Sequence, residues 1–160
     1  MHIRKSINNA GLIVERLRIK NRVQVNSVQS LIFNTKNKPG LYWIETDMPI
    51  NDIINAINIC SGIKKTTRNI PPRGAIFTIK QNGLQIIYSG TALDIQKRLL
   101  QHLFNQGNTN TVKMSLKIDC SLFSKYQWYI SSAHIKDEPT RYALEYWWRL
   151  NIGWPPFCLR

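Results

Sequence analysis

Tyr88, Arg98, His102 and Glu145 are the side chains whose types and spacing could do chemistry. Tyr88 closes an apolar run in LQIIYSG; Arg98 and His102 follow in TALDIQKRLLQHL; Glu145 sits in LEYWWRL. A guanidinium is a planar fork of donors that grips phosphate or carboxylate oxygens. A phenol or an imidazole can orient or carry a proton. A carboxylate among aromatic neighbours is expected to be partly buried, and then to be paired or to hold a cation. Each residue also has an ordinary reading. Tyr88 alone is a core aromatic, and Asp94, Arg98 and His102 recur every four residues as a polar helix face. Arg141 and Arg149 stand four residues to either side of Glu145, so a helix ion pair is the competing account of that carboxylate.

These residues need elements to hold them. GAIFTIK and LQIIYSG flank Gln81, Asn82 and Gly83, and Asn-Gly is the favoured centre of a two-residue hairpin turn. That register sets Phe77 opposite Tyr88 and Ile79 opposite Ile86, on one face of a short sheet. Thr91 can cap a helix, with Asp94 three residues on. Ala92, Ile95, Leu99 and Leu103, widened by Leu100, form its apolar stripe, and the helix is expected to end near 104–107. KYQWYISSAHI reads as a strand. DEPTRYALEYWWRLNIG reads as a helix with Asp137 as cap, Pro139 in the first turn and Gly153 at the C-terminal end.

The earlier part is less patterned. Residues 1–10 are polar and expected to be loose, and 11–33 are expected to hold strand or short-helix material. KNKPG is a turn, GLYWIE a strand and DMPINDIINAINI a helix. The basic, proline-containing stretch SGIKKTTRNIPPR is the best internal boundary. The expected organisation is therefore a basic N-terminal extension or subdomain over 1–70, followed by a domain over 71–160 of order β-β-α-β-α.

The chain carries 22 Lys and Arg against 9 Asp and Glu, a formal charge of +13 over 160 residues. A polyanion is the plainest partner for such a balance, with solubility alone as the competing explanation. Lys64, Lys65, Arg68 and Arg73 precede the expected hairpin; Lys113 and Lys117 follow the Arg98 helix. Charge dispersed in this way suits a folded binding face. Cys60, Cys120 and Cys158 form no CxxC, and an odd count argues against a disulfide framework, so a reducing compartment is expected. No signal peptide is read in MHIRKSINNAGLIVERLRIK, and no apolar run reaches the ~18 residues of a membrane helix.

Taken together, the segment from Tyr88 to Arg98 resembles the GIY-YIG nuclease domain. YSG at 88–90 matches the second motif, Arg98 lies ten residues after Tyr88 as the family spacing has it, and His102 is four further on. Glu145 falls where the family has its metal-binding glutamate. The resemblance covers about residues 74–158. There are departures. At the family spacing of eleven residues before Tyr88 stands Phe77, which has no hydroxyl; Thr91 stands where a lysine is common; Cys158 lies near the usual asparagine. GLYWIE also matches the first motif, and Tyr42 could pair with Tyr88 across an insertion. The Asn-Gly register favours Phe77 as the hairpin partner, with Tyr42 as the alternative.

The resemblance implies an α+β fold, with a central antiparallel sheet flanked by helices, joined to the N-terminal α/β extension. It implies divalent-metal-dependent hydrolysis of double-stranded DNA, of restriction or homing type, in a bacterial or phage-like cytoplasmic setting with no membrane. Glu145 would hold Mg²⁺, or Mn²⁺ in its place; Arg98 would grip the scissile phosphate; Tyr88 would touch the attacking water. His102 would contact phosphate or help take the proton, and Lys97 would touch the backbone. A homodimer is one way to cut both strands. Two other readings stay open: a catalytically weak nucleic-acid-binding module on the same fold, and an unrelated basic interaction protein.

Overall fold

A computed structural model describes residues 2–61, 80, 82–107 and 114–158. Its elements are α1 (His2–Lys20), β1 (Val23–Gln24), α2 (Val28–Asn34), β2 (Gly40–Thr46), α3 (Ile50–Ser61), β3 (Gln85–Ala92), α4 (Ile95–Phe104), α5 (Ser121–Ser124), β4 (Trp128–His134) and α6 (Glu138–Asn151). The described residues form a mixed α+β fold with six helices and a four-stranded antiparallel sheet of order β1-β4-β2-β3.

β2 is buried along its whole length, because it has a strand on each side and helices over each face. Alternate side chains of a strand point to opposite faces. Leu41 and Trp43 join Val14 of α1 and Leu144 and Trp148 of α6 in one core. Tyr42 and Ile44 join Leu31 of α2, Ile53 and Ile57 of α3, Leu99 and Leu103 of α4 and Phe123 of α5 in the other. The sheet thus lies between two helical layers, and it takes strands from both sides of residue 70.

One irregularity sets the orientation of Tyr88. Ile44 pairs with Tyr88, but Glu45 pairs with Ile86, so Ile87 is an extra residue in β3. A bulge of this kind shifts the faces of the residues beyond it. Ile86 consequently packs with Trp43, while Tyr88 packs on the Tyr42 side. The expectation that Ile86 and Tyr88 share a face is corrected by this bulge.

Other expectations are also revised. Residues 2–10 are helical, not loose, as the first half of α1. α1 docks closely on α6: a Cβ at Gly11 would stand 2.2 Å from the Trp147 ring. Thr91 does not cap a helix. It belongs to β3, which pairs with β2 as far as Ala92, so α4 starts only after Asp94, whose carboxylate accepts from the Lys97 N–H. α6 begins as expected at the Asp137 cap with Pro139 in its first turn; its C-cap is Ile152, with Gly153 just beyond. Asn82 and Gly83 make a turn with φ of 49° and 78°, the positive pair that a type I′ turn requires. Phe77 and the rest of the expected first hairpin strand over 74–79 lie outside the described residues, as do Lys64, Lys65, Arg68, Arg73 and Lys113.

Candidate active site

Tyr42 and Tyr88 meet because of Gly90. In the β2–β3 register Tyr42 stands opposite Gly90, two residues beyond Tyr88 on the same face. A Cβ at position 90 would lie 2.5 Å from the Tyr42 hydroxyl oxygen and 2.7 Å from Cζ. Only glycine leaves room for the phenol to cross β3 there. The two tyrosine rings then stack, with centroids 6.0 Å apart and planes at 19°.

α4 brings the next group. Ile95, Leu99 and Leu103 seat the helix on the core, and His102 is carried inward with them, fully buried. Its Nδ1 accepts from the Met114 backbone N–H at 3.0 Å. A backbone amide can only donate, so Nδ1 must offer a lone pair and the proton of the neutral ring sits on Nε2. That Nε2 is 3.1 Å from the Tyr42 hydroxyl, which is therefore the acceptor. The His102 ring also lies 4.4 Å, centroid to centroid, from the Tyr88 ring. The imidazole is committed to the interior at both nitrogens.

Burial raises the Tyr42 hydroxyl well above the ordinary phenol pKa, while the nearby Arg98 guanidinium pulls the other way. Burial also raises Tyr88; Cys158 adds to this, and Arg98, Arg149 and the neighbouring Tyr42 hydroxyl oppose it. The Tyr42 hydroxyl thus accepts from His102 Nε2–H, and its ring stacks on that of Tyr88. Tyr88 is half-buried, unlike Tyr42 and His102.

Arg98 donates from Nη1 to Gln101 Oε1 at 2.7 Å. With Thr91, Ala92, Leu93, Asp94, Lys97 and Gln101 it lines an open groove of about 340 Å³ at the start of α4. Lys97 is on this groove. Lys117 is half-buried, between Leu116 and Ile118, whose N–H groups bond the carbonyls of His102 and Leu103.

Glu145 approaches from the other layer, since α6 packs on the Trp43 side of the sheet. The side chain is mostly buried, and burial raises its pKa against the pull of Arg149. Arg149, not Arg141, is its partner: Nη2 is 2.5 Å from Oε1. Arg141 instead donates to the carbonyl of Lys136 at 2.8 Å. Arg149 also donates from Nε to Ser89 Oγ at 3.0 Å and from Nη2 to Ser89 O at 2.7 Å, beside Tyr88. Cys158 Sγ lies 3.2 Å from both Ser89 N and Ser89 O. The Glu145 charge is felt at the Tyr42 hydroxyl, raising its pKa further. Glu145 reaches β3 through Arg149 and Ser89, from the face of the sheet opposite Tyr42 and Tyr88.

Among the described residues no group of three or more His, Cys, Asp or Glu could hold a metal together. Glu145 is a single hard-oxygen donor whose Oε1 is taken by Arg149 and whose Oε2 has no hydrogen bond among those residues. One free carboxylate oxygen fits a Mg²⁺ ion that keeps most of its own waters.

The chain thus brings Tyr42, Tyr88, Arg98 and His102 together, with Glu145 joined to them through Arg149 and Ser89. Sequence reasoning did not single out Ser89, Gln101 or the role of Gly90. Arg149 was visible as the residue four after Glu145. No protein-family model, curated protein or solved structure matches the chain.

Proposed function

We propose that this protein is a divalent-metal-dependent endonuclease of the GIY-YIG type that hydrolyses phosphodiester bonds in double-stranded DNA. The observation that supports it is the buried His102–Tyr42 hydrogen bond, with both rings packed on Tyr88 and Arg98 nearby on an open groove. In this reading Tyr42 supplies the hydroxyl of the first motif, and the long stretch between the two motifs is an insertion.

Each residue has one task. Arg98 grips the scissile phosphate with its planar fork. Tyr88, the more accessible phenol, aims the attacking water. His102 donates to the Tyr42 hydroxyl, whose ring stacks on Tyr88, so the pair is held in place behind the water-facing phenol. His102 acts as a donor and not as a proton acceptor, because Nδ1 is held by Met114. Glu145 would hold Mg²⁺ or Mn²⁺ through its free oxygen, and such an ion, when bound, neutralises charge on the phosphate and leaving oxygen. Lys97 and the positive surface bind backbone phosphates. A restriction or mobile-element role in a bacterial or phage-like cytoplasm follows from this class of enzyme. No helix of the described residues is long and apolar enough to cross a membrane.

A second reading is a binding module without turnover. It is favoured by the raised pKa values of both phenols and by the occupation of one Glu145 oxygen. Supercoiled plasmid incubated with Mg²⁺ or Mn²⁺ decides between them. The nuclease reading expects relaxation or linearisation that Glu145→Ala and Arg98→Ala abolish. Retarded but intact DNA in a gel, with either metal, would leave only the binding module.

A further inference from the structure

The guanidinium of Arg149 occupies a position that neither the motif nor the net charge explains. It touches Glu145 Oε1 at 2.5 Å, Ser89 Oγ at 3.0 Å and Ser89 O at 2.7 Å. Its Cζ also lies over the Trp154 ring, 5.4 Å from the ring centroid. One side chain of α6 is thus bonded at once to the candidate metal ligand and to the residue next to Tyr88.

We infer that Arg149 is a positioning residue that holds Glu145 to one free oxygen and ties that oxygen to Tyr88 through Ser89. The inference rests on the metal role proposed for Glu145. Glu145 and Tyr88 sit on different elements in different layers of the fold. Without a rigid link their separation would vary with every shift of α6 against β3, and a misplacement of about 1 Å can cost about a hundredfold in rate. A planar fork with several fixed donors can join a carboxylate to a backbone carbonyl and a hydroxyl; an ammonium on a flexible stem cannot fix all three. Pairing also has an opposing effect. Arg149 takes one carboxylate oxygen and puts a positive charge beside the site, so it weakens cation binding while it improves placement.

The two effects separate in Arg149→Met and Arg149→Lys. Mn²⁺ binding to the whole chain is measured by titration calorimetry, and plasmid cleavage at saturating Mn²⁺ is measured on the same samples. Arg149→Met is expected to bind Mn²⁺ tighter by roughly threefold to tenfold, because a second oxygen and a repulsive charge are released. Its turnover is expected to fall by about a hundredfold. Arg149→Lys is expected to keep wild-type Mn²⁺ affinity, since the charge stays, yet to recover little of the turnover. If Arg149→Met fails to fold by circular dichroism, Arg149→Lys still tests the fork against the charge.

Loss of Mn²⁺ affinity together with turnover, or wild-type values of both in Arg149→Met, would overturn the inference. So would Arg149→Lys with full turnover, or Mn²⁺ binding that is unchanged by Glu145→Gln. A wild-type chain that binds Mn²⁺ through Glu145, binds it tighter after Arg149→Met and yet cuts no DNA supports the Arg149 pairing and removes the hydrolase reading.

Discussion

The hydroxyl of Tyr42 and Nε2 of His102 are 3.1 Å apart inside the core, and the imidazole is the donor. A buried histidine fixed in this sense cannot accept the tyrosine's proton without giving up its bond to Met114. It can only stabilise electron density on the phenol oxygen. Charge on the Tyr42 oxygen is therefore supported by donation from His102, while Tyr88 meets both rings by packing alone.

Tyr42→Phe removes the hydroxyl that accepts from the buried His102 Nε2–H, at a stability cost of about 1–3 kcal/mol. The ring keeps its packing against Tyr88. Cleavage at saturating metal is expected to fall by roughly two orders of magnitude, the usual scale for a lost proton-handling group. DNA affinity should stay within about twofold, because Tyr42 is buried and touches no surface. Phe77→Tyr in that background is expected not to restore cleavage. Restoration would make Phe77 the true partner of Tyr88.

Stability should fall in alkali because of the same phenol. Burial raises the Tyr42 pKa in the folded chain, whereas an unfolded tyrosine ionises near 10. Above that pH the native state holds a proton that the unfolded state has released. The native state then binds more protons, so unfolding free energy drops as pH rises past about 10. Below it the phenol contribution is fully present. Urea midpoints measured from pH 8 to 11 should decline at the alkaline end, and Tyr42→Phe should flatten that decline. Identical slopes in both chains would remove Tyr42 from the account.

Gly90→Ala tests whether the close approach of the ring matters. The new methyl would sit 2.5 Å from the Tyr42 oxygen, and Tyr42 is only 1% exposed, so the ring has no free volume to enter. Overpacking of this kind costs about 1–3 kcal/mol. Both melting temperature and cleavage should drop, with cleavage lost even at temperatures where the variant is folded. A folded Gly90→Ala with wild-type cleavage would show that the Tyr42 position is unimportant.

Much of this site was readable before the fold, and the misses have physical causes. Arg98, His102 and Glu145 sit on amphipathic helices, where a local 3.6-residue period carries the information. The ring that stacks on Tyr88 is legible only as an alternative: GLYWIE matches the first motif, but the non-local strand pairing that brings Tyr42 to Tyr88 has no local period. Asn82-Gly83 marks a turn in sequence and makes one in the fold, but a turn says nothing of what lies on the strand's other edge. The bulge at Ile87 was invisible because it appears only when β2 sets the register. Thr91 and Asp94 are both good caps, and pairing of Gly40 with Ala92 decided for Asp94. α1 could have been seen: Ile7, Ala10, Val14 and Leu17 recur at helical spacing and all pack on the second core.

α1 is pinned by a buried charge network, and its removal should be costly without touching the site. Arg18 bonds Glu45 of β2 at 2.7 Å and Glu15 at 2.7 Å, and Glu15 accepts from Trp148 Nε1 at 2.6 Å. Arg18→Met leaves Glu45 buried, with only Arg22 at 3.5 Å to balance it. Breaking a buried pair from one side costs about 3–5 kcal/mol. Thermal unfolding should show that loss, while cleavage per folded molecule at low temperature stays near wild type. An unchanged melting temperature would mean that α1 is not docked through Arg18.

Arg98 and Lys97 are neighbours on one groove, yet different tasks are assigned to them, and salt separates the two. Each phosphate neutralised by a cationic side chain steepens the fall of affinity with salt by about one unit of log–log slope. Lys97→Ala should lower that slope by about one and leave cleavage at saturating DNA close to wild type. Arg98→Lys keeps the charge, so its slope should not change. Its cleavage should still fall by roughly a hundredfold, because a point charge cannot bracket two phosphate oxygens or keep the fixed geometry that Arg98 has beside Gln101. Equal behaviour of the two variants would reduce Arg98 to one more surface charge. The groove would then be a place where DNA rests, and the tyrosines behind it would need another explanation.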